Sequence, residues 1–205
     1  MKVVGISASP RFNSNSDILL KSALDGAKSA GAEIEYIRMC DYKILPCIEC
    51  NNCYADGICP IDDDYQKVLD KALGAQRLIF ATPVFFMTVC AQAKTFIDRN
   101  QNIWAYRNIL KRPLVRTGGG DLRAMVIAVG GSRSRKMFDC VRLTMKTWLD
   151  VLDAHYAANL FVSKVNDAGE IRKNQKAMDE AYRLGRELIT TETLPEKPVD
   201  VELVI

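Results

Sequence analysis

Lys2-Val3-Val4-Gly5-Ile6-Ser7, continuing into Ala8-Ser9-Pro10-Arg11-Phe12-Asn13-Ser14-Asn15-Ser16, decides the class of the whole chain. The first six residues are apolar and β-branched with little alternation, the pattern of a strand buried on both faces. A Ser/Pro/Asn-rich turn follows over 7–16. It leads into an amphipathic helix with Ile18, Leu19, Ala23, Leu24 and Ala27 on its apolar side, stopped at Gly31. Strand, polar loop and helix in that order open a parallel α/β sheet.

The same rhythm recurs outward from this start. Strands are expected from Ile34 to Met39, from Leu78 to Thr82, over 124–129 and near 156–162. Helices are expected over 65–74, over 88–100, through Phe138, Val141, Met145, Trp148, Leu149 and Leu152, and over 174–190. The expectation is an α/β three-layer sandwich: a five-stranded parallel sheet with helices on both faces. A cysteine-rich loop, 40–64, interrupts it after the second strand. Residues 101–122 read as irregular, and the tail 191–205, with two prolines, as extended. At 205 residues the chain fits one domain over 1–205.

A net charge of +3 with no basic tail or recognition motif excludes nucleic-acid binding as an expectation. No apolar run approaches the roughly 18 residues that cross a bilayer, so no membrane association is expected. The chain runs straight into a strand rather than a signal peptide, which points to the cytoplasm. There the seven cysteines would be metal ligands, redox groups or core residues rather than disulfides.

In parallel sheets ligands bind beyond the carboxyl ends of the strands, so the informative loops are 7–16, 40–64, 82–88 and 130–136. The first is neither G-x-G-x-x-G nor a Walker loop. It offers Ser9, Asn13, Ser14, Asn15 and Ser16 with Arg11 just before a helix N-terminus, where free N–H groups and the helix dipole favour a phosphate. A Ser/Asn helix cap in a surface turn would need only one of them. Cys47, Cys50, Cys53 and Cys59 form C-x2-C-x2-C, then a fourth cysteine before Pro60. That spacing is much like ferredoxin ligation, with Gly57 tightening the return. Zinc, which favours two separated C-x2-C pairs, fits less well, and unligated thiols are the other alternative. Asp62, Asp63 and Asp64 are expected to cap the next helix. Cys40, Cys90 and Cys140 read as core residues, and the lone His155 as structural.

Ser9-Pro10-Arg11 with Ser14-Asn15-Ser16 resembles the FMN phosphate loop of the NAD(P)H-dependent FMN reductase and iron–sulfur flavoprotein families, written there Gly-Ser-Pro-Arg, then Gly-Asn-Thr. Ala8, Ser14 and Ser16 are this chain's departures. Thr82-Pro83-Val84-Phe85-Phe86 resembles the family's Thr-Pro-Val-Tyr-Phe ring loop, with Phe85 for the tyrosine. Lys94, Phe96, Asp98 and Arg99 resemble its Lys-x-Phe-x-Asp-Arg, although Lys94 and Asp98 equally fit an exposed helix pair. Gly130, Gly131 and Ser132 end the fourth strand, where glycine admits a flat ring. The Arg133, Arg135 and Lys136 that follow face the ring, a partner or solvent.

The resemblance covers nearly the whole chain and implies a flavodoxin-like fold, with FMN and one 4Fe–4S cluster as cofactors. It implies an electron-transfer oxidoreductase fed by a ferredoxin-like donor and reducing a small acceptor such as O2 or peroxide. It also implies a homodimer or homotetramer in which one subunit's cluster meets another's flavin. The competing readings are an NAD(P)H-dependent FMN or quinone reductase without a cluster, a flavodoxin-like carrier, and a flavin-free regulatory protein.

Overall fold

Val3 and Val4, adjacent in the first strand, face opposite cores, and this division organises the fold. The structure, a computed structural model, describes residues 1–205. Its strands are β1 (Lys2–Ser7), β2 (Glu33–Arg38), β3 (Arg77–Phe85), β4 (Thr88–Val89), β5 (Leu122–Val129), β6 (Ala154–Ser163) and β7 (Val199–Val204). Its helices are α1 (Asn15–Ser29), α2 (Cys53–Asp56), α3 (Tyr65–Leu73), α4 (Ala91–Arg99), α5 (Gln101–Asn108), α6 (Asp139–Val151) and α7 (Gln175–Thr190). The main sheet runs β2-β1-β3-β5-β6-β7, every pairing parallel. Leaving aside the short β4, this is the flavodoxin-like order with one strand added at the far edge.

Period-two alternation delivers side chains to both faces. Val3, Ile79, Met125, Ile127 and Leu160 pack under α1 and α7. Val4, Ile6, Leu78, Phe80, Val126 and Phe161 pack under α3, α4 and α6. Each large side chain removed wholly from water contributes about 1.5–3 kcal/mol, so these two layers carry the stability. Helices α1 and α7 cross in near-backbone contact: a Cβ built on Gly26 would lie 2.0 Å from the Tyr182 carbonyl oxygen.

Three expectations are corrected. The sheet has six parallel strands, not five, because the tail forms β7 against β6. Val201 and Leu203 turn inward, while Asp200 and Glu202 pair with Arg142. Prolines 195 and 198 precede this strand and leave its ladder intact. Residues 101–108, expected irregular, form α5. It has little apolar periodicity and is held by tertiary contacts, the Tyr65 hydroxyl donating to Asn102 Oδ1 at 2.7 Å. Thr88 and Val89, expected in a helix, close a hairpin with Phe85 and Val84. No helix is long and apolar enough to cross a membrane.

Candidate functional site

Two sites are built from the loops that follow the strands. The first is a cleft of about 400 Å³ between the loops after β1, β3, β5 and β6, within the roughly 300–1,000 Å³ of small-molecule sites. Ser9, Arg11, Ser14, Asn15 and Ser16 line it on one side, and Pro83, Val84, Phe85, Gly130 and Gly131 on the other. Four predicted residues lie outside this lining. Asn13, at φ 49°, turns the loop. Thr82 is fully buried beneath it and donates to the Pro83 carbonyl at 2.8 Å. Phe86 stands fully exposed, and Ser132 Oγ accepts the Ser134 N–H.

The side formed by the loop after β1 is built on α1. Ser14 caps that helix, its Oγ accepting the Asp17 N–H at 3.2 Å and meeting Ser16 Oγ at 3.3 Å. The backbone N–H groups of Ser14, Asn15 and Ser16 have no partner in the chain. Unsatisfied donors at a helix start favour an anion. Ser9, Ser14 and Ser16 are buried, so their hydroxyls face a sheltered floor, while Arg11 is exposed at the rim. The Asn15 amide is engaged elsewhere, donating to the Asp167 carbonyl at 2.8 Å and accepting the Ile171 N–H at 3.2 Å. It therefore latches the loop after β6 across the cleft. Arg11 donates to the Asn166 carbonyl in that same loop at 3.3 Å.

Val165 and Asn166 line the cleft and were not among the residues expected from sequence. The strand-end rule that selected the other loops applies equally to this Asn166-Asp167-Ala168-Gly169 turn. Gly131 lines the cleft and also stands against Asn166. A Cβ there would sit 1.7 Å from Asn166 Oδ1, so the glycine admits the neighbouring side chain.

Opposite α1, β3 and β4 are joined by Phe86 and Met87 at φ 46° and 68°. Both are bulky residues in left-handed backbone, a hairpin turn normally given to Asn-Gly. Strain of this kind, of order 1–3 kcal/mol per residue, concentrates at binding sites. It holds Phe85, 48% exposed, at the cleft mouth.

The second site gathers the four predicted cysteines. Cys47, Cys50, Cys53 and Cys59 line one pocket of about 20 Å³ together with Arg99, Gln101 and Asn102. Glu49 and Asn51, flanking Cys50, have φ of 54° and 58°. Backbone of this alternating type makes N–H concavities that hold anions and iron–sulfur groups. Gly57 (φ 87°) ends the α2 turn, and its carbonyl accepts from Asn102 at 3.3 Å. Cys53 is the buried member. Burial pushes its thiol pKa up, and the sulfurs of Cys59, Cys47 and Cys50 add to the rise. No group of three or more His, Cys, Asp or Glu side chains is drawn together as the ligands of one metal ion. A cuboidal cluster needs a wider set, with one thiolate at each of four corners.

Asp63 departs from its expected role. Helix α3 has no side-chain cap at Asp64, although Asp63 accepts the Tyr65 N–H at 2.9 Å. Asp63 also accepts the Leu45 N–H at 2.8 Å and pairs with Arg99 at 2.5 Å, both side chains being 1% exposed. One carboxylate thus ties the start of the cysteine loop, its end and α4. Asp64 pairs with Lys67 and holds the Lys43 N–H. Lys94 and Asp98 form an exposed pair at 2.7 Å, and Arg135 pairs with Glu202. Cys90 is buried as expected. Cys140 is exposed, because it falls on the solvent side of α6 while Val141, Met145 and Trp148 take the core.

Burial would raise the Asp63 carboxyl pKa, but Arg99 and the two backbone donors outweigh it and hold the group below its ordinary value of 3.8. A depressed carboxylate adds stability that is present above its unfolded value and lost as pH falls through its folded value. At pH 7, Asp63→Asn is expected to cost about 3 kcal/mol, since it leaves Arg99 buried without its counter-charge. The gap from wild type should narrow as pH drops below 3.8. Urea midpoints at pH 7 and pH 3 test this, and an unchanged gap would refute the assignment.

The model of the family described as NADPH-dependent FMN reductase matches residues 1–167. An iron–sulfur flavoprotein of Methanocaldococcus jannaschii is 38% identical over 137 residues, 65% of this chain and 64% of that protein. The match therefore spans just under two thirds of that relative. One of Archaeoglobus fulgidus is 28% identical over 93% of this chain and 90% of its own length. Among solved structures, a flavone reductase superposes with a TM-score of 0.69 at 22% identity, covering 97% of this chain and 66% of that one. At that identity the likeness is one of fold.

Proposed function

The chain belongs to the NADPH-dependent FMN reductase family of flavin-dependent oxidoreductases, and from that premise we propose a two-centre electron-transfer protein. FMN occupies the cleft between α1 and the β3 hairpin. A 4Fe–4S cluster is held by Cys47, Cys50, Cys53 and Cys59. The observation that carries this reading is the meeting of all four cysteines in one pocket.

The residues present fit both groups. The free N–H groups of Ser14, Asn15 and Ser16 bind the FMN phosphate with the hydroxyls of Ser9 and Ser16, and Arg11 closes it from outside. Pro83, Val84 and Phe85 wall the ring on one side, and the Gly130-Gly131 backbone flanks the other. Thr82 holds the ring loop from beneath, Phe86 sits in its hairpin turn, and Asn13 and Ser132 shape the two other turns. When bound, FMN supplies two-electron and one-electron chemistry and the cluster one-electron chemistry, while the protein sets distance and exposure.

Cys50, Ile48 and Ile58 are exposed, so a ferredoxin-like donor can approach the cysteine loop. The half-exposed Phe85 leaves the cleft mouth accessible to a small acceptor such as O2 or peroxide. Trp104 and Leu143 are exposed beside an apolar groove between α5 and α6, a face through which two or four copies associate. A second reading keeps FMN, takes electrons from NAD(P)H and holds no cluster. The match to the family described as NADPH-dependent FMN reductase favours it.

Protein purified without oxygen should display flavin bands with a broad shoulder near roughly 400 nm, and about four irons and four sulfides per chain. Flavin without iron after reconstitution, with rapid bleaching by NADPH, would replace the two-centre assignment by the second one.

A further inference from the structure

Arg99 ends α4 and is one of the largest wholly buried side chains in the molecule. Its guanidinium donates to the Leu45 carbonyl at 2.9 Å and to both oxygens of Asp63, at 2.5 and 3.3 Å. Its plane lies over the Tyr65 ring at 4.5 Å. Burial disfavours the charge, yet Asp63 and the neighbouring Cys59 sulfur outweigh burial and raise the guanidinium pKa. Of its other donors, Nε–H is buried with no partner. An unmet donor in the interior is unfavourable, and this one belongs to a residue lining the cysteine pocket. No polar group of the chain satisfies it. Four thiolates brought into that pocket would supply both the acceptor and the negative charge.

We propose that Arg99 is the positioning and charge-compensating residue of the cysteine centre, holding Cys59 in place and favouring the reduced cluster. This deepens the two-centre reading and rests on it. The physical reason is electrostatic. Reduction adds an electron to a group already negative through its thiolates, and a fixed buried cation stabilises the reduced form more than the oxidised one. Asp63 opposes the effect, since it neutralises part of the same charge. Arginine suits the task better than lysine as a fork, because its planar group meets Asp63 and Leu45 and still has a donor left over.

The opposed signs make the test specific. Cluster reduction is followed by titration with electron paramagnetic resonance in reconstituted wild-type, Asp63→Asn, Asp63→Asn/Arg99→Gln and Asp63→Asn/Arg99→Lys proteins. Bound FMN reports that each has folded. Asp63→Asn should ease cluster reduction, and adding Arg99→Gln should reverse this by at least about tenfold in the one-electron equilibrium, 59 mV. Arg99→Lys in the same background should stay close to Asp63→Asn, since the charge is kept. Equal potentials in all four proteins would overturn the role of Arg99 while leaving the cluster in place. Wild-type protein that takes up no iron would instead overturn the cluster reading, and this role with it. If the Gln variant loses FMN, Asp63→Asn alone decides: an eased reduction supports the proposal and an unchanged one refutes it.

Discussion

Cys53→Ala protein, prepared and reconstituted without oxygen, is expected to keep its FMN and to fall from about four irons per chain to less than one. Cys53 is the deepest of the four thiols, at the start of α2, and its pKa is pushed up by burial and then by the three sulfurs around it. Ligation requires the thiolate, so metal uptake and deprotonation are coupled. Alanine is preferred to serine because a serine oxygen could still ligate. FMN should remain, because its loop is held by independent bonds: Ser14 to Asp17, Asn15 to Asp167 and Arg11 to Asn166. Iron and flavin analysis on one preparation decides the matter. Full iron content in the variant would remove Cys53 from the ligand set, and loss of both cofactors would show that the sites do not fold independently.

Gly185→Ala is expected to destabilise the protein by about 3 kcal/mol, against the sign of helix propensity, which favours alanine over glycine by about 1 kcal/mol. A Cβ at position 185 would lie 1.9 Å from the Ala23 carbonyl oxygen. That atom is backbone in the middle of α1 and cannot turn aside, so α1 and α7 must separate. Ala181, Leu184 and Leu188 are buried along the same face and would lose contact together. For a chain of this size the midpoint of thermal unfolding should fall by roughly 8 °C. FMN retention should fall as well, since the N-terminus of α1 carries the unpaired N–H groups of the cleft. A midpoint at or above that of wild type would mean that the helices do not cross this closely.

Much of this molecule could be read along the chain because its signals are local. The apolar run Lys2–Ser7, the polar turn after it and the amphipathic α1 each obey a short-range period, and their repetition implied a doubly covered parallel sheet. The cysteine spacing is local too, since a loop of thirteen residues, 47–59, needs only its own turns to bring four thiols to one pocket. The edge strand β7 was harder to see. Its two inward residues give a weak alternation, and only Arg142, Arg135 and the open edge of β6 supply its partners. Helix α5 was likewise obscure, because what holds it comes from Tyr65 and α2 rather than from its own pattern.

By itself, then, the sequence determined the class of the sheet, the polar loop that opens α1 and the spacing that brings four thiols to one pocket, all consequences of residue order over a few turns. Only the tertiary structure decided which groups are free to act. It committed the Asn15 amide to the loop after β6, placed Gly131 against Asn166, and buried Asp63 with Arg99 behind the cysteines. Those outcomes depend on contacts between segments 35 to 156 positions apart. Burial and hydrogen-bond satisfaction are properties of the folded chain, and no local pattern encodes them.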